Sequence, residues 1–143
     1  GNNCILANAV QVAGHVVIED WAIIGGSSAV HQFVKVGAHV MVSGGSLVRK
    51  DIPPYTKAAR EPLTYCGVNT IGLRRRGFTS EKISEIQDAY RLIFLKGLNN
   101  SKAIERVETE IVQSQERDYI VAFIKSSERG VMKGFSTSST PFE

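Results

Sequence analysis

Three histidines and an arginine triplet carry most of the chemistry this sequence could perform. His15, His31 and His39 could exchange a proton near neutral pH, as base, acid or ligand. Arg74, Arg75 and Arg76 form the densest charge cluster. Planar guanidiniums give bidentate contacts to phosphate oxygens, so the triplet could seat a diphosphate; equally, a charge run can be a solvated loop. Cys4 fits a buried slot and Cys66 a loop, and neither has a sequence neighbour that would make it catalytic. Two reduced thiols suit a cytoplasmic protein.

These groups need a scaffold. The chain has 143 residues, 43% of them hydrophobic, which suffices for a core. The net charge of +3 is too small to argue for nucleic acid, and no apolar run approaches the ~18 residues of a membrane span. Charge is divided unevenly. Residues 1–53 hold Glu19, Asp20, Lys35, Arg49, Lys50 and Asp51, which cancel, so the whole excess lies in residues 54–143.

The first segment is a repeat. An aliphatic residue recurs every six positions at Leu6, Val12, Ile18, Ile24, Val30, Val36, Val42 and Val48. Four residues after each comes a small or aliphatic one: Val10, Val16, Ala22, Ser28, Val34, Val40, Ser46 and Ile52. Neither the 3.6 period of a helix nor the alternation of an ordinary strand explains this. A parallel β-helix does: three hexads close a triangular coil of about 18 residues, and coils stack at about 4.8 Å. Gly1 falls in mid-hexad, so the chain is expected to be the C-terminal part of a longer protein. His15 and His31, two residues short of one coil apart, fall on one triangular face and could share a cleft, with His39 on the next. That split makes three zinc ligands within one chain hard to gather at about 2.0–2.1 Å.

Pro53-Pro54 should end the repeat, because proline donates nothing to a ladder. Residues 54–78 read as an irregular connection, and 79–143 as a helical domain. Ile83, Ile86, Tyr90, Ile93 and Phe94 share a helical face opened by Thr79 or Ser80 and closed by Gly97. Ile104, Val107, Ile111 and Val112 predict a second helix with Ser101 as cap; Tyr119, Ile120, Phe123 and Ile124 predict a third. The helices are expected to cover the last coil's edge, and 136–140 to form a loose terminus.

The runs AGHV (13–16), AVHQF (29–33), GAHVMV (37–42) and GVNTIGLRRRGF (67–78), with the helical ending, resemble the UDP-N-acetylglucosamine O-acyltransferases of lipid A synthesis. The resemblance covers essentially the whole chain. It implies a left-handed parallel β-helix followed by a C-terminal α-helical domain, assembled as a homotrimer. The implied reaction moves a 3-hydroxyacyl chain from acyl carrier protein to the 3-hydroxyl of UDP-N-acetylglucosamine, with no metal, no cofactor and no covalent intermediate. A general-base histidine is implied a few residues upstream of Gly1, one coil before Gly14, whose N–H would stabilise the oxyanion. His15 and His31 match positions lining the substrate and donor cleft, and Gln32 a sugar contact. Asn69, Arg75 and Arg76 match nucleotide contacts. Met41 and Gly44 match the acyl-length pocket, where a glycine leaves room for the chain end. Ile71 departs from the pattern, which often places an acidic residue there. Two alternatives stay open: the related N-acyltransferases of acylated UDP-glucosamine, and a non-catalytic β-helix trimerisation module.

Overall fold

The computed structural model describes residues 1–94 and 96–134. Each hexad contributes one two-residue strand: β1 (Ile5–Leu6), β2 (Gln11–Val12), β3 (Val17–Ile18), β4 (Ile23–Ile24), β5 (Ala29–Val30), β6 (Lys35–Val36), β7 (Met41–Val42) and β8 (Leu47–Val48). Every strand pairs in parallel with the strand one coil away, as in Ile5↔Ile23↔Met41, Gln11↔Ala29↔Leu47 and Val17↔Lys35. The result is a three-faced parallel β-solenoid of about three turns.

The two inward slots behave as the repeat requires. Ile24, Val30, Val36, Val42 and Val48 are buried, and so are Ala22, Ser28, Val34, Val40, Ser46 and Ile52. The buried serines satisfy themselves: Ser28 Oγ and Ser46 Oγ donate to Ser43 O, and Ser28 Oγ accepts from Ser46 N. At the open end, Leu6 and Val12 occupy the same slot yet remain 48% and 41% exposed.

The corners also repeat. Asn3, Ala9, His15, Trp21, Ser27, Phe33, His39 and Gly45, six residues apart, all have φ between 58° and 73°. This left-handed conformation usually selects glycine or asparagine. Here it turns the chain sharply and throws the corner side chain outward. Stacking by 18 residues builds three corner columns: Asn3–Trp21–His39, Ala9–Ser27–Gly45 and His15–Phe33.

The structure differs from expectation after Pro53. Ile52 still bridges Val36 in parallel, and Pro54 fits against Gly37, whose added Cβ would lie 2.5 Å from Pro54 N. The prolines occupy a corner, where no ladder donor is needed. The chain then re-enters the sheet as β9 (Thr56–Ala59), parallel to β7, and returns as β10 (Thr64–Val68), antiparallel to β9. Residues 54–78 are therefore not irregular: β9 covers the exposed edge of β7, and Cys66 lies on β10 rather than in a loop.

Among the described residues four helices follow rather than three: α1 (Thr70–Arg75), α2 (Ser80–Phe94), α3 (Asn100–Glu110) and α4 (Gln115–Lys125). Thr79 Oγ1 accepts from Lys82 N at the start of α2. The cap of α3 is Asn99, which accepts from Lys102 N at 2.9 Å, so Ser101 lies inside the helix. Ile83, Ile86, Tyr90, Ile93, Ile104, Val107, Ile120, Phe123 and Ile124 are buried as the periodicity required, whereas Val112 is 75% exposed. Tyr90 is fully buried and donates its hydroxyl to Pro54 O, tying α2 to the proline corner. The stretch 136–140 lies outside the described residues.

Further contacts fix the helices to the solenoid's side. Ala38 N donates to Tyr119 Oη at 2.9 Å, and Lys35 Nζ donates to Ser126 Oγ at 2.7 Å. The buried carboxylate of Asp51 accepts from Lys35 N at 2.8 Å and from Ser127 Oγ at 2.6 Å. Asp51 N and O also bond Gly130 O and Met132 N, so the chain beyond α4 returns to the solenoid. Among the described residues no helix is long and apolar enough to cross a membrane.

Candidate functional site

The first corner column carries the most organised polar chemistry. Trp21 and His39 stack one coil apart, with ring centroids at 6.5 Å and planes within 7°. Tyr55, at φ 70°, stacks on the other side of His39 at 5.7 Å, and Phe78 meets the imidazole edge-on at 5.1 Å. α1 lies across this column. Its cap residue Asn69 is buried; its Oδ1 accepts from Gly72 N while its Nδ2 donates to His39 O at 3.0 Å. At the other end of α1, the Arg76 guanidinium lies 5.1 Å from the Trp21 ring centroid and 3.2 Å from His39 Nδ1.

The protonation states follow from these contacts. Arginine has no lone pair to offer, so the contact requires an unprotonated Nδ1 on His39, with the proton on Nε2. Burial, reinforced by the Arg76 charge and only partly opposed by Asp20, depresses the His39 pKa to about 4. Burial and neighbouring Arg75 draw Arg76 below its usual value. Burial, with the negative fields of Glu116 and Glu19, pushes the Tyr55 hydroxyl well above its usual range. Near neutral pH the site thus presents a cation held by a neutral aromatic cage. Arg74 and Arg75 point into solvent beside it, and Ile71 is 65% exposed.

The His15–Phe33 corner forms a second cluster. Gly14 sits beside Gln32, with the side-chain Nε2 3.8 Å from where a Gly14 Cβ would be. The Gly14 carbonyl accepts from Phe33 N, while its N–H makes no hydrogen bond among the described residues. His31, Gln32 and Phe33 line a depression of about 560 Å³ together with Gln11, Ala13 and Arg129. His15 does not meet His31. It stacks on Phe33, with centroids 5.2 Å apart and planes within 10°, so Phe33 connects the two histidine positions. Met41 faces outward from β7, and Gly44 lies at the third corner, against Gly26.

The residues singled out from the sequence therefore fall into three places. Asn69 and Arg76 come together; Gly14, His31 and Gln32 come together; Met41 and Gly44 stand apart from both. Trp21, Phe33 and Arg129 were not singled out. Trp21 and Phe33 carried a legible signal, one coil from His39 and His15. Arg129 carried none, because the returning segment after α4 brings it in. Among the described residues no three His, Cys, Asp or Glu side chains converge as metal ligands.

The chain is similar to known proteins over most of its length. The family described as Udp N-acetylglucosamine O-acyltransferase, domain 2, matches residues 51–132. An acyl-[acyl-carrier-protein]–UDP-N-acetylglucosamine O-acyltransferase of Burkholderia lata is 44% identical over 137 residues, covering 93% of this chain and 52% of that protein. One from Thiobacillus denitrificans is 40% identical with the same coverage. Among solved structures, a UDP-N-acetylglucosamine acyltransferase from Bacteroides fragilis superposes with a TM-score of 0.92 at 51% identity, covering 93% of this chain and 52% of that one. The enzyme of Francisella novicida gives 0.89 at 37% identity, covering 96% and 51%. The chain spans about half the length of the curated relatives it matches. With its matched segment running from the proline corner through α1 and the helices, the chain belongs to the UDP-N-acetylglucosamine O-acyltransferase family.

Proposed function

We propose that this chain supplies the nucleotide-gripping and acyl-measuring half of an acyltransferase that moves a 3-hydroxyacyl chain from acyl carrier protein to the 3-hydroxyl of UDP-N-acetylglucosamine, the entry step of lipid A synthesis. One observation carries the reading: a neutral cage holds the Arg76 guanidinium at one end of a short helix whose other end Asn69 ties to His39 O. A guanidinium so placed suits a diphosphate, and the buried Asn69 amide fixes the helix that carries it. Arg75 adds a second cation in reach of the same anion.

In this reading the sugar hydroxyl attacks the thioester carbonyl and its proton passes to a base. The tetrahedral oxyanion takes a hydrogen bond from an N–H, the C–S bond breaks, and the carrier thiol leaves with the proton. Gly14 is the proposed oxyanion donor; its unengaged N–H and the neighbouring Gln32 amide support this. The base is the histidine expected upstream of Gly1. His15, His31 and Gln32 line the sugar and donor path, and Met41 with Gly44 bounds the acyl end. Since Gly14 and Arg76 stand on different corners of one chain, a single substrate meets both across neighbouring copies of a homotrimer. Kinship with the family supports a left-handed solenoid and a cytoplasmic location.

The test compares the protein carried with its upstream hexads against residues 1–143 alone. The longer chain should transfer a 3-hydroxyacyl group from carrier to UDP-N-acetylglucosamine, and Arg76→Ala should raise KM for the nucleotide sugar. Residues 1–143 alone should transfer nothing. Turnover by 1–143 above a buffer control, or an Arg76→Ala protein with unchanged KM, would overturn the reading.

A further inference from the structure

His39 does two things at once. Its backbone carbonyl accepts from Asn69 Nδ2, and its ring faces the Arg76 guanidinium. These two residues bracket α1, so one histidine sets where both ends of that helix sit relative to the solenoid. The remaining contacts leave the ring little freedom. Trp21 and Tyr55 stack on its two faces and Phe78 closes its edge, while the His39 backbone N–H donates to Asp20 O and holds the corner. Trp21 meanwhile offers its π-face to the same guanidinium from the coil below. A free arginine side chain loses considerable rotamer freedom when it clamps a phosphate. An arginine already held between an imidazole lone pair and an indole face has lost much of it in advance.

We propose that His39 is a positioning residue that, with Trp21, pre-orients Arg76 for the diphosphate of a nucleotide sugar, and that the clamp opens when the imidazole gains a proton. The proposal rests on the nucleotide-site reading above. A protonated ring has no lone pair for the guanidinium and repels it. The charged or titratable groups facing His39 are Arg76, which opposes protonation, Asp20, which favours it, and Tyr55, which stays neutral. Glu19 and Glu116 act on the column through Tyr55. Protonation thus turns an attractive contact into a cation pair, and phosphate affinity falls with pH for a reason separate from any base.

The only tryptophan of the chain is Trp21, which makes the column its own probe. Indole fluorescence should titrate with an inflection near pH 4, and Arg76→Ala should move that inflection upward by removing the opposing charge. Binding is then read with UDP on the protein carried with its upstream hexads. His39→Ala should weaken UDP binding by about tenfold and raise KM with little change in kcat; alanine suits this corner, since Ala9 holds the equivalent one at φ 63°. His39→Asn, whose Oδ1 takes the place of Nδ1 as acceptor, should restore affinity to within about threefold and abolish the acid-side loss. Equal UDP affinity for His39→Ala and the parent, or His39→Asn as weak as His39→Ala at matched folding by circular dichroism, overturns the positioning role. Equal UDP affinity for Arg76→Ala and the parent overturns the nucleotide reading itself, and the inference with it. A fluorescence inflection that Arg76→Ala leaves in place refutes the clamp whatever the nucleotide does.

Discussion

Gly25 and Gly45 are both solenoid glycines, and the repeat makes both look replaceable. The slot of Gly25 holds Ala7 and Ser43 in the adjoining turns, and the corner of Gly45 holds Ala9 and Ser27. The structure separates them. A Cβ on Gly25 would lie 2.4 Å from Gly44 N and 2.7 Å from Val42 O, against backbone that cannot rotate away. Ordinary carbon contacts fall at about 3.5–4.0 Å, so the second and third turns would have to part locally. That also strains the rung from Gly25 N to Val42 O, at 2.8 Å. Overpacking of this kind costs about 1–3 kcal/mol and a weakened hydrogen bond about 1 more, giving about 2–4 kcal/mol for Gly25→Ala. Gly45 has φ +73°, with nothing within 4 Å of an added Cβ. Gly45→Ala therefore pays only the left-handed penalty, about 1 kcal/mol, partly offset by a less flexible unfolded chain. Urea unfolding followed by far-ultraviolet circular dichroism, with m held equal, measures both. A Gly45→Ala protein as destabilised as Gly25→Ala would refute the steric argument, and so would a Gly25→Ala protein within 0.5 kcal/mol, about the range of a surface change.

Asp51→Ala removes a buried carboxylate that accepts from Lys35 N and Ser127 Oγ, and should cost about 2–4 kcal/mol; Ser127→Ala should cost about half as much in the same unfolding assay, and equal losses would place the energy elsewhere. His39 has a depressed folded pKa, so the unfolded chain binds more protons between about pH 6.5 and 4; its contribution is present above that window and lost as pH falls through it. The urea midpoint should therefore drop on acidification by more in the parent than in His39→Asn, and parallel curves would count against it. Gly44→Met in the protein carried with its upstream hexads should shift preference toward shorter acyl donors, since the corner beside Gly26 is already tight at 3.2 Å; unchanged preference for long donors would exclude Gly44 from the acyl pocket.

Much of the solenoid could be read from residue types because its interior repeats the same narrow cross-section every coil. An inward slot that admits only an aliphatic, and a second that admits only a small or β-branched residue, leave a period that chance does not produce. The corners repeat just as strictly in φ, yet they mix Asn3, Ala9, Ser27 and Gly45 with the rings of His15, Trp21, Phe33 and His39. The backbone is forced there by the inward residues on either side, while the side chain points outward and is free to vary. The propensity rule that left-handed positions favour glycine was overridden by packing, so residue type did not mark these corners, and only the 18-residue spacing of Trp21 and His39 hinted at their column. The return of the chain as β9 after Pro53-Pro54 was hidden for the opposite reason. A proline ends a strand only where its nitrogen would have donated, and these two lie at a corner. α1 is six residues long and owes its place to Asn69, which caps it and anchors to His39 O. No period could announce so short a helix. The arginine triplet was legible as charge, but charge alone left all three equivalent. What distinguishes Arg76 from Arg74 and Arg75 is the lone pair of one imidazole and the face of one indole, both supplied by residues far away in sequence. Repeats reveal a scaffold because the scaffold's constraint is periodic. A site uses that scaffold once, so its constraint appears only when the corners are stacked in space.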